Sequence, residues 1–201
     1  MPHARDRSCH AYQWSMMTKL ENPKIYIFGA SGSGSTTLGQ SVSSELGLVH
    51  VDTDDHYWAP IDPPFSVKNS VEERVSSMRN ALGNEGWVLS GACNEWGREL
   101  VDQADIIVFT TLATPFRLQR LRSREQTRFG ERIEEGGDMF QIHVNFIDWA
   151  TGYDDPNFNG RNVGMHERWL ARQHKPICRI GSQCDPEIAV QTVIKYLATL
   201  S

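Results

Sequence analysis

A three-layer α/β/α fold, built on a five-stranded parallel sheet, is predicted by three observations. Short apolar runs alternate with helical patterns from Lys24 onward. The runs read as strands buried inside the protein, which a sheet covered on both faces requires. The first run leads through a glycine-rich loop directly into a helix.

Lys24-Ile25-Tyr26-Ile27-Phe28 reads as the first strand. A helix follows from Ser35 to Leu46, with Leu38, Val42 and Leu46 one face apart and Gly47 as its stop. Leu48–Val51 is the second strand. Ser70-x-x-Glu73 is a capping box opening a helix to about Leu82. Trp87–Ser90 and Ile106–Leu112 are strands three and four. Thr114-Pro115 caps the next helix, with proline at its first position. Ile177–Ile180 is the fifth strand, and Asp185-Pro186 opens a terminal helix carrying Ile188, Val193, Ile194 and Leu197. Between strands four and five, residues 129–175 form an insertion, expected to act as a helical lid. Met139, Ile142, Phe146 and Trp149 space an amphipathic helix there, and a further helix is expected near Met165–Gln173.

The 201 residues suit one domain with an insertion, running from 23 to 201 behind a weakly ordered leader at 1–22. Met16 and Met17 are alternative starts within that leader. The net charge of −5 and the pI of about 5.8 give no sign of a nucleic-acid or acidic-membrane partner. No apolar run approaches the ~20 residues of a membrane span. Cys9, Cys93, Cys178 and Cys184 form no CxxC pair and no zinc-like spacing with histidine. A cytoplasmic location with reduced thiols is expected. The oligomeric state stays open, with a monomer favoured.

The loop Gly29-Ala30-Ser31-Gly32-Ser33-Gly34-Ser35-Thr36 has the spacing of a phosphate-binding loop, except that Ser35 stands where lysine belongs. Gly29, Gly32 and Gly34 let backbone N–H groups converge on phosphate oxygens. Ser31, Ser33, Ser35 and Thr37 complete the predicted binding segment, and the helix N-terminus adds partial positive charge. Thr36 is placed to ligate Mg²⁺. Two other readings compete. One is an ordinary Gly/Ser-rich turn. The other is a dinucleotide loop, which needs glycine where Thr37, Ser33 and Ser35 stand.

Strand two ends in Val51-Asp52-Thr53-Asp54-Asp55-His56-Tyr57-Trp58. Carboxyl ends of parallel strands face the ligand crevice. With Asp52 and Asp54 alternating along an extended chain, Asp52 is expected to hold Mg²⁺ through water, and Asp54 to accept a proton from a substrate hydroxyl. A solvated acidic turn is the alternative. His56 reads as a surface or packing residue, and Cys93 as a small packed one. Gly91, after strand three, permits close backbone approach by a substrate. Trp58 and Trp96 are candidates for the wall of an acceptor pocket, with core packing as the alternative.

Six of the fifteen arginines lie between Arg117 and Arg132. Arg117, Arg120, Arg124 and Arg128 are spaced to line one helix face. Arg120, Arg124 and Arg128 are candidates to replace the missing lysine, since arginine's planar fork binds phosphate oxygens in pairs. Arg117, nearest the sheet, has a structural role as its alternative, and a solvated basic face is the alternative for the whole stripe.

The segments GASGSGSTTLG, VDTD, WVLSGA and DIIVFTTLATPFRLQRLRSRE resemble small P-loop kinases of the nucleoside-monophosphate, shikimate and gluconate kinase type. The resemblance covers residues 24–128 plus the last strand and helix. Acidic-aromatic spacing after strand two, with Trp87 and Trp96, also resembles adenylate-kinase-related proteins described as DNA topology modulators. It implies strand order 2-3-1-4-5, ATP and Mg²⁺ as ligands, and a mobile arginine lid. It makes Asp52 the magnesium-side acid and Asp54 the substrate-side acid. The expected activity is ATP-dependent phosphate transfer to an unidentified small-molecule acceptor. The departure at Ser35 keeps a nucleotide-binding regulator with little turnover as the alternative.

Overall fold

A computed structural model describes residues 20–181 and 185–200. The expected start methionines, most of the leader, Cys9 and Cys184 lie outside the described residues. Five parallel strands stand in the order 2-3-1-4-5: β1 (Lys24–Gly29), β2 (Val49–Asp52), β3 (Trp87–Ser90), β4 (Ile106–Thr110) and β5 (Ile177–Ile180). β1 is central, pairing Ile25 with both Val88 and Ile106.

Alternate side chains of each strand serve opposite faces of the sheet. Ile25 and Ile27 join Val88, Ile106 and Val108 on one face. There α1 (Ser35–Leu46) packs through Leu38, Val42 and Leu46, and α8 (Pro186–Ala198) through Ala189, Val190, Val193 and Leu197. Tyr26 and Phe28 serve the other face. It is covered by α3 (Val71–Leu82) through Val75, Met78 and Leu82, by the short α4 (Arg98–Val101), and by α7 (Val163–Leu170). Ile188, expected on the apolar side of the last helix, is instead exposed, because α8 buries the stripe one residue later.

The predicted starts at Ser35, Ser70 and Asp185 hold, whereas the helix at Thr114–Phe129 takes Ala113 as its N-cap, which puts Pro115 at the second helical position instead of the first. Ser70 Oγ accepts from Glu73 N while Glu73 Oε2 accepts from Ser70 N at 2.8 Å, so α3 opens on a complete capping box. Asp185 caps α8 by accepting from Glu187 N and Ile188 N.

The inserted segment divides in two. α6 (Phe140–Thr151) lies against α5 (Thr114–Phe129), where Ile147 and Ala150 meet Leu118 and Leu121. Of the expected stripe Met139, Ile142, Phe146 and Trp149, Met139 is buried and the other three are half-buried. The deeper face is one residue on, at Ile147 and Ala150, because α6 rotates to seat on α5. By contrast, α7 belongs to the sheet's covering layer. Leu170 enters the core, and His166 stacks edge-on against Phe28 at 4.9 Å.

Candidate functional site

β1 delivers Gly29 to the sheet's carboxyl edge, and the chain turns at once into α1. Gly32 and Gly34 hold φ of +81° and +97°, a left-handed backbone that suits glycine. Ser33 Oγ pairs with Thr110 Oγ1 at 2.8 Å, tying the loop to the end of β4. Among the described residues, the amides of Gly32, Gly34, Ser35, Thr36 and Thr37 donate to no protein acceptor. Such converging N–H groups at a helix start form an anion cradle.

Arg117 is fully buried beside this loop. It donates to the carbonyls of Leu112 (2.9 Å), Ser31 (3.3 Å) and Ala150 (3.2 Å), and its planar fork thereby pins the loop, α5 and α6 together. It is structural, and the predicted four-arginine stripe reduces to three exposed members. Arg120, Arg124 and Arg128 line one open hollow of about 600 Å³ along α5. Arg120 comes nearest the loop, with Nη1 3.7 Å from where a Cβ on Gly34 would sit. Arg124 is shared with Glu125 at 3.0 Å, and Arg128 lies over the rings of Phe65 and Phe129 at 5.2 Å.

The acidic strand end differs from the extended chain expected. β2 stops at Asp52, and Asp54 opens a single helical turn, α2 (Asp54–Tyr57). The cause is local: Asp52 Oδ1 accepts from Asp54 N at 2.9 Å, folding the chain back. Asp52 Oδ2 also accepts from Ser90 Oγ at 3.2 Å. Asp54 keeps solvent access, yet protein crowds it from most directions. Burial raises its pKa, the Asp52 carboxylate adds to the rise, and Arg161 and Arg124 oppose it.

Arg161 is the residue that sequence reasoning missed here. It follows α6 in an irregular stretch and points back to the loop, donating from Nη2 to Ser31 Oγ at 3.2 Å. Its guanidinium lies 4.9 Å from the Trp149 ring, and its Nε is buried without an acceptor. Burial lowers its proton affinity, while Asp54 opposes that. No local pattern marks Arg161, because more than 100 residues separate it from the loop it reaches.

Gly91, expected to permit close backbone approach, is half-buried beside Asp52 and Thr53. Its φ is +98°, and a Cβ there would collide with the Thr53 side chain, so the close approach it permits is made by the protein itself. Cys93 is fully buried, and burial pushes its thiol up to about 12, which fits the packing role expected. His56 pairs with Ser77 Oγ at 2.7 Å at the surface, as expected. Trp58 and Trp96 both pack on Tyr57, at 5.0 and 5.8 Å.

No family model matches the chain. The uncharacterized protein YqaC of Bacillus subtilis (strain 168) is 36% identical over 176 residues, which is 87% of this chain and 97% of that protein. The chain belongs to the family of YqaC. Similar solved structures include a gluconokinase from Sinorhizobium meliloti 1021, with a TM-score of 0.47 and 14% identity over 89% of this chain and 93% of that one. A shikimate kinase from Bacteroides thetaiotaomicron has a TM-score of 0.47 and 18% identity over 87% and 98%. No substrate follows from likeness at this level. The strand order 2-3-1-4-5 and the loop-to-helix unit after β1 are those the resemblance to small P-loop kinases implies. No helix among the described residues is long and apolar enough to cross a membrane.

The residues also fit a hydrated magnesium ion. Thr36, in the first turn of α1, makes no hydrogen bond through its side chain among the described residues, and each Asp52 oxygen keeps a spare lone pair. No group of three or more metal-ligating side chains stands among the described residues. Magnesium, which keeps several waters and takes few protein ligands, suits such a sparse set.

Proposed function

We propose that this protein binds a nucleoside triphosphate such as ATP at Gly29–Thr37 and transfers its terminal phosphoryl group to a small hydroxyl- or phosphate-bearing acceptor. The observation that carries the reading is the cradle of unpaired amides at the start of α1, flanked by Arg120 and Arg161 and lying beside an acid of raised pKa, Asp54.

Gly32, Gly34, Ser35, Thr36 and Thr37 offer N–H groups to the phosphates, and Ser31 and Ser33 shape the loop. Thr36, and Asp52 through water, would hold Mg²⁺, which would supply charge neutralisation on the phosphates. Arg120, Arg124, Arg128 and Arg161 supply the countercharge that lysine would give at position 35. Asp54 takes the acceptor's hydroxyl proton as the new O–P bond forms. The bond from the γ-phosphorus to the bridging oxygen breaks, and the nucleoside diphosphate leaves. A raised carboxylate pKa brings a base nearer its working pH. The part of the insertion before α7 is the candidate lid over this step, and α6 would move with α5, to which Ile147 and Ala150 hold it.

Ser35 favours a second reading, a nucleotide-binding regulator with little turnover. The two separate by incubating the protein with [γ-³²P]ATP and a metabolite panel while following melting with Mg·ATP, Mg·GTP and NADH. Label transfer with a melting shift supports the kinase. A shift without transfer supports the regulator. A shift with NADH alone overturns both.

A further inference from the structure

His50 and Asp52 are two apart on β2, and Ser90 stands opposite Asp52 on β3, so the three side chains share the face of the sheet that α1 covers. His50 Nε2 lies 2.9 Å from Ser90 Oγ, and Ser90 Oγ lies 3.2 Å from Asp52 Oδ2. The other Asp52 oxygen accepts from Asp54 N at 2.9 Å. Ser90 is fully buried in the middle of this chain, and His50 is half-buried at its outer end. α1 makes room for it with Gly39, where a Cβ would stand 2.8 Å from His50 Nε2 and 3.0 Å from Ser90 Cβ. Gly39 follows Thr36 by three residues, so α1 turns one face to both the chain and the candidate metal position.

Counting protons gives the chain a direction. A serine hydroxyl has one proton, and a carboxylate only accepts. The proton of Ser90 therefore goes to Asp52. Ser90 can meet His50 only as an acceptor, so His50 Nε2 must carry a proton and donate it. Donors joined in this way polarise one another, and each fixes the rotamer of the next. The backbones of β2 and β3 are already joined by their own ladder. What the side-chain chain adds is at its inner end, on the carboxylate assigned to magnesium.

We propose that His50 and Ser90 are positioning residues for a divalent cation: His50 donates to Ser90, Ser90 donates to Asp52 Oδ2, and the carboxylate is held in one orientation with a lone pair of each oxygen left for the cation's waters. Partners of this kind orient a metal's ligands without touching the metal. This role rests on the reading of Asp52 as the magnesium-side acid and adds to it two residues that contact neither metal nor nucleotide. Long-range ¹H–¹⁵N spectra, with His50 assigned in the wild-type protein, read the tautomer directly. A proton on Nε2 is expected. A neutral ring protonated on Nδ1 cannot donate to Ser90, and overturns the proposal while leaving the kinase reading untouched. Mn²⁺, as the probe for magnesium, is then titrated by electron paramagnetic resonance into protein saturated with a non-hydrolysable ATP analogue. His50→Leu should weaken Mn²⁺ about 2–10-fold, the share of one neutral hydrogen bond. His50→Gln, which offers an N–H near the place of Nε2, should recover most of that loss. In an Asp52→Asn background, His50→Leu should change Mn²⁺ affinity no further. Affinity unmoved by His50→Leu, or lost equally in the Asp52→Asn background, makes the chain a brace between strands and overturns the proposal alone. A wild-type protein that takes up no Mn²⁺ with the analogue removes the metal reading of Asp52, and the positioning role with it.

Discussion

Asp54 joins proton affinity to stability and to chemistry. Its raised pKa means that the native protein holds the proton more tightly than the unfolded chain does. Stability contributed by this group is therefore lost as pH rises from the ordinary carboxylate value through the raised one. Asp54→Asn removes the penalty. At pH 7 the variant should melt above the wild type, and the gain should vanish below the ordinary carboxylate range; a variant melting lower at pH 7 contradicts the assignment. Turnover, if Asp54 is the base, should fall about 10²–10⁴-fold with nucleotide affinity little changed. Arg161 makes the complementary case. Its buried, unpaired Nε and its contact with Ser31 give it the most direct reach to the loop of any arginine outside the core. Arg161→Ala should weaken Mg·ATP about 10–150-fold and AMP far less, as the terminal phosphates lose their partner. Ser35→Lys should partly restore that loss. Calorimetric ATP affinities unchanged in Arg161→Ala would leave Ser35 uncompensated by this residue.

At the scale of elements, two helices support the site. α3 carries Arg74, stacked on Tyr57, in its first turn, beside a capping box that satisfies amides at the helix start. Ser70→Ala should destabilise the protein by about 1 kcal/mol in urea unfolding, with no change in nucleotide affinity. A neutral substitution would mean that packing of Val75, Met78 and Leu82 alone holds the helix start. α5 does two jobs with one arginine-rich sequence. Arg117, near its beginning, locks inward onto the carbonyls of Leu112, Ser31 and Ala150, whereas Arg120, Arg124 and Arg128 face the open hollow. Helical spacing groups all four. Depth against the sheet separates them.

For the whole molecule, the loop sits where the sheet's carboxyl edge, α5 and the inserted segment meet, so a ligand there bridges parts distant in the chain. Ligand that binds only the native state must stabilise it by mass action. At roughly 100 times its Kd, Mg·ATP should add about 2.7 kcal/mol, read as a concentration-dependent rise in Tm. A Tm independent of Mg·ATP concentration would mean that the cradle of α1 is not a triphosphate site. The division of the insertion bears on motion as well. α7 is bound into the core through Leu170 and His166, whose imidazole burial pushes down to about 3. Any lid movement is thus confined to the part before α7.

Local signals were enough for the strands, the helix starts and the phosphate-like loop, because each depends on residues within a few positions of one another. Apolar runs fixed β1, β3 and β5, the Ser70–Glu73 box fixed the start of α3, and the glycine spacing placed the turn into α1. Arg74, four and eight residues before Met78 and Leu82 on the buried face of α3, was not singled out by its sequence. What only the tertiary structure decided is which charges are spent and which stay free. Arg117 is consumed by three carbonyls, Gly91 is filled by Thr53, Arg161 arrives at Ser31 from across the fold, and Arg74 is buried against Tyr57 with no hydrogen-bond or ion-pair partner among the described residues. Whether a guanidinium meets a carbonyl, a ring or nothing depends on contacts between segments tens of residues apart, and the packing of those segments, unlike a helix cap, has no local pattern in the chain.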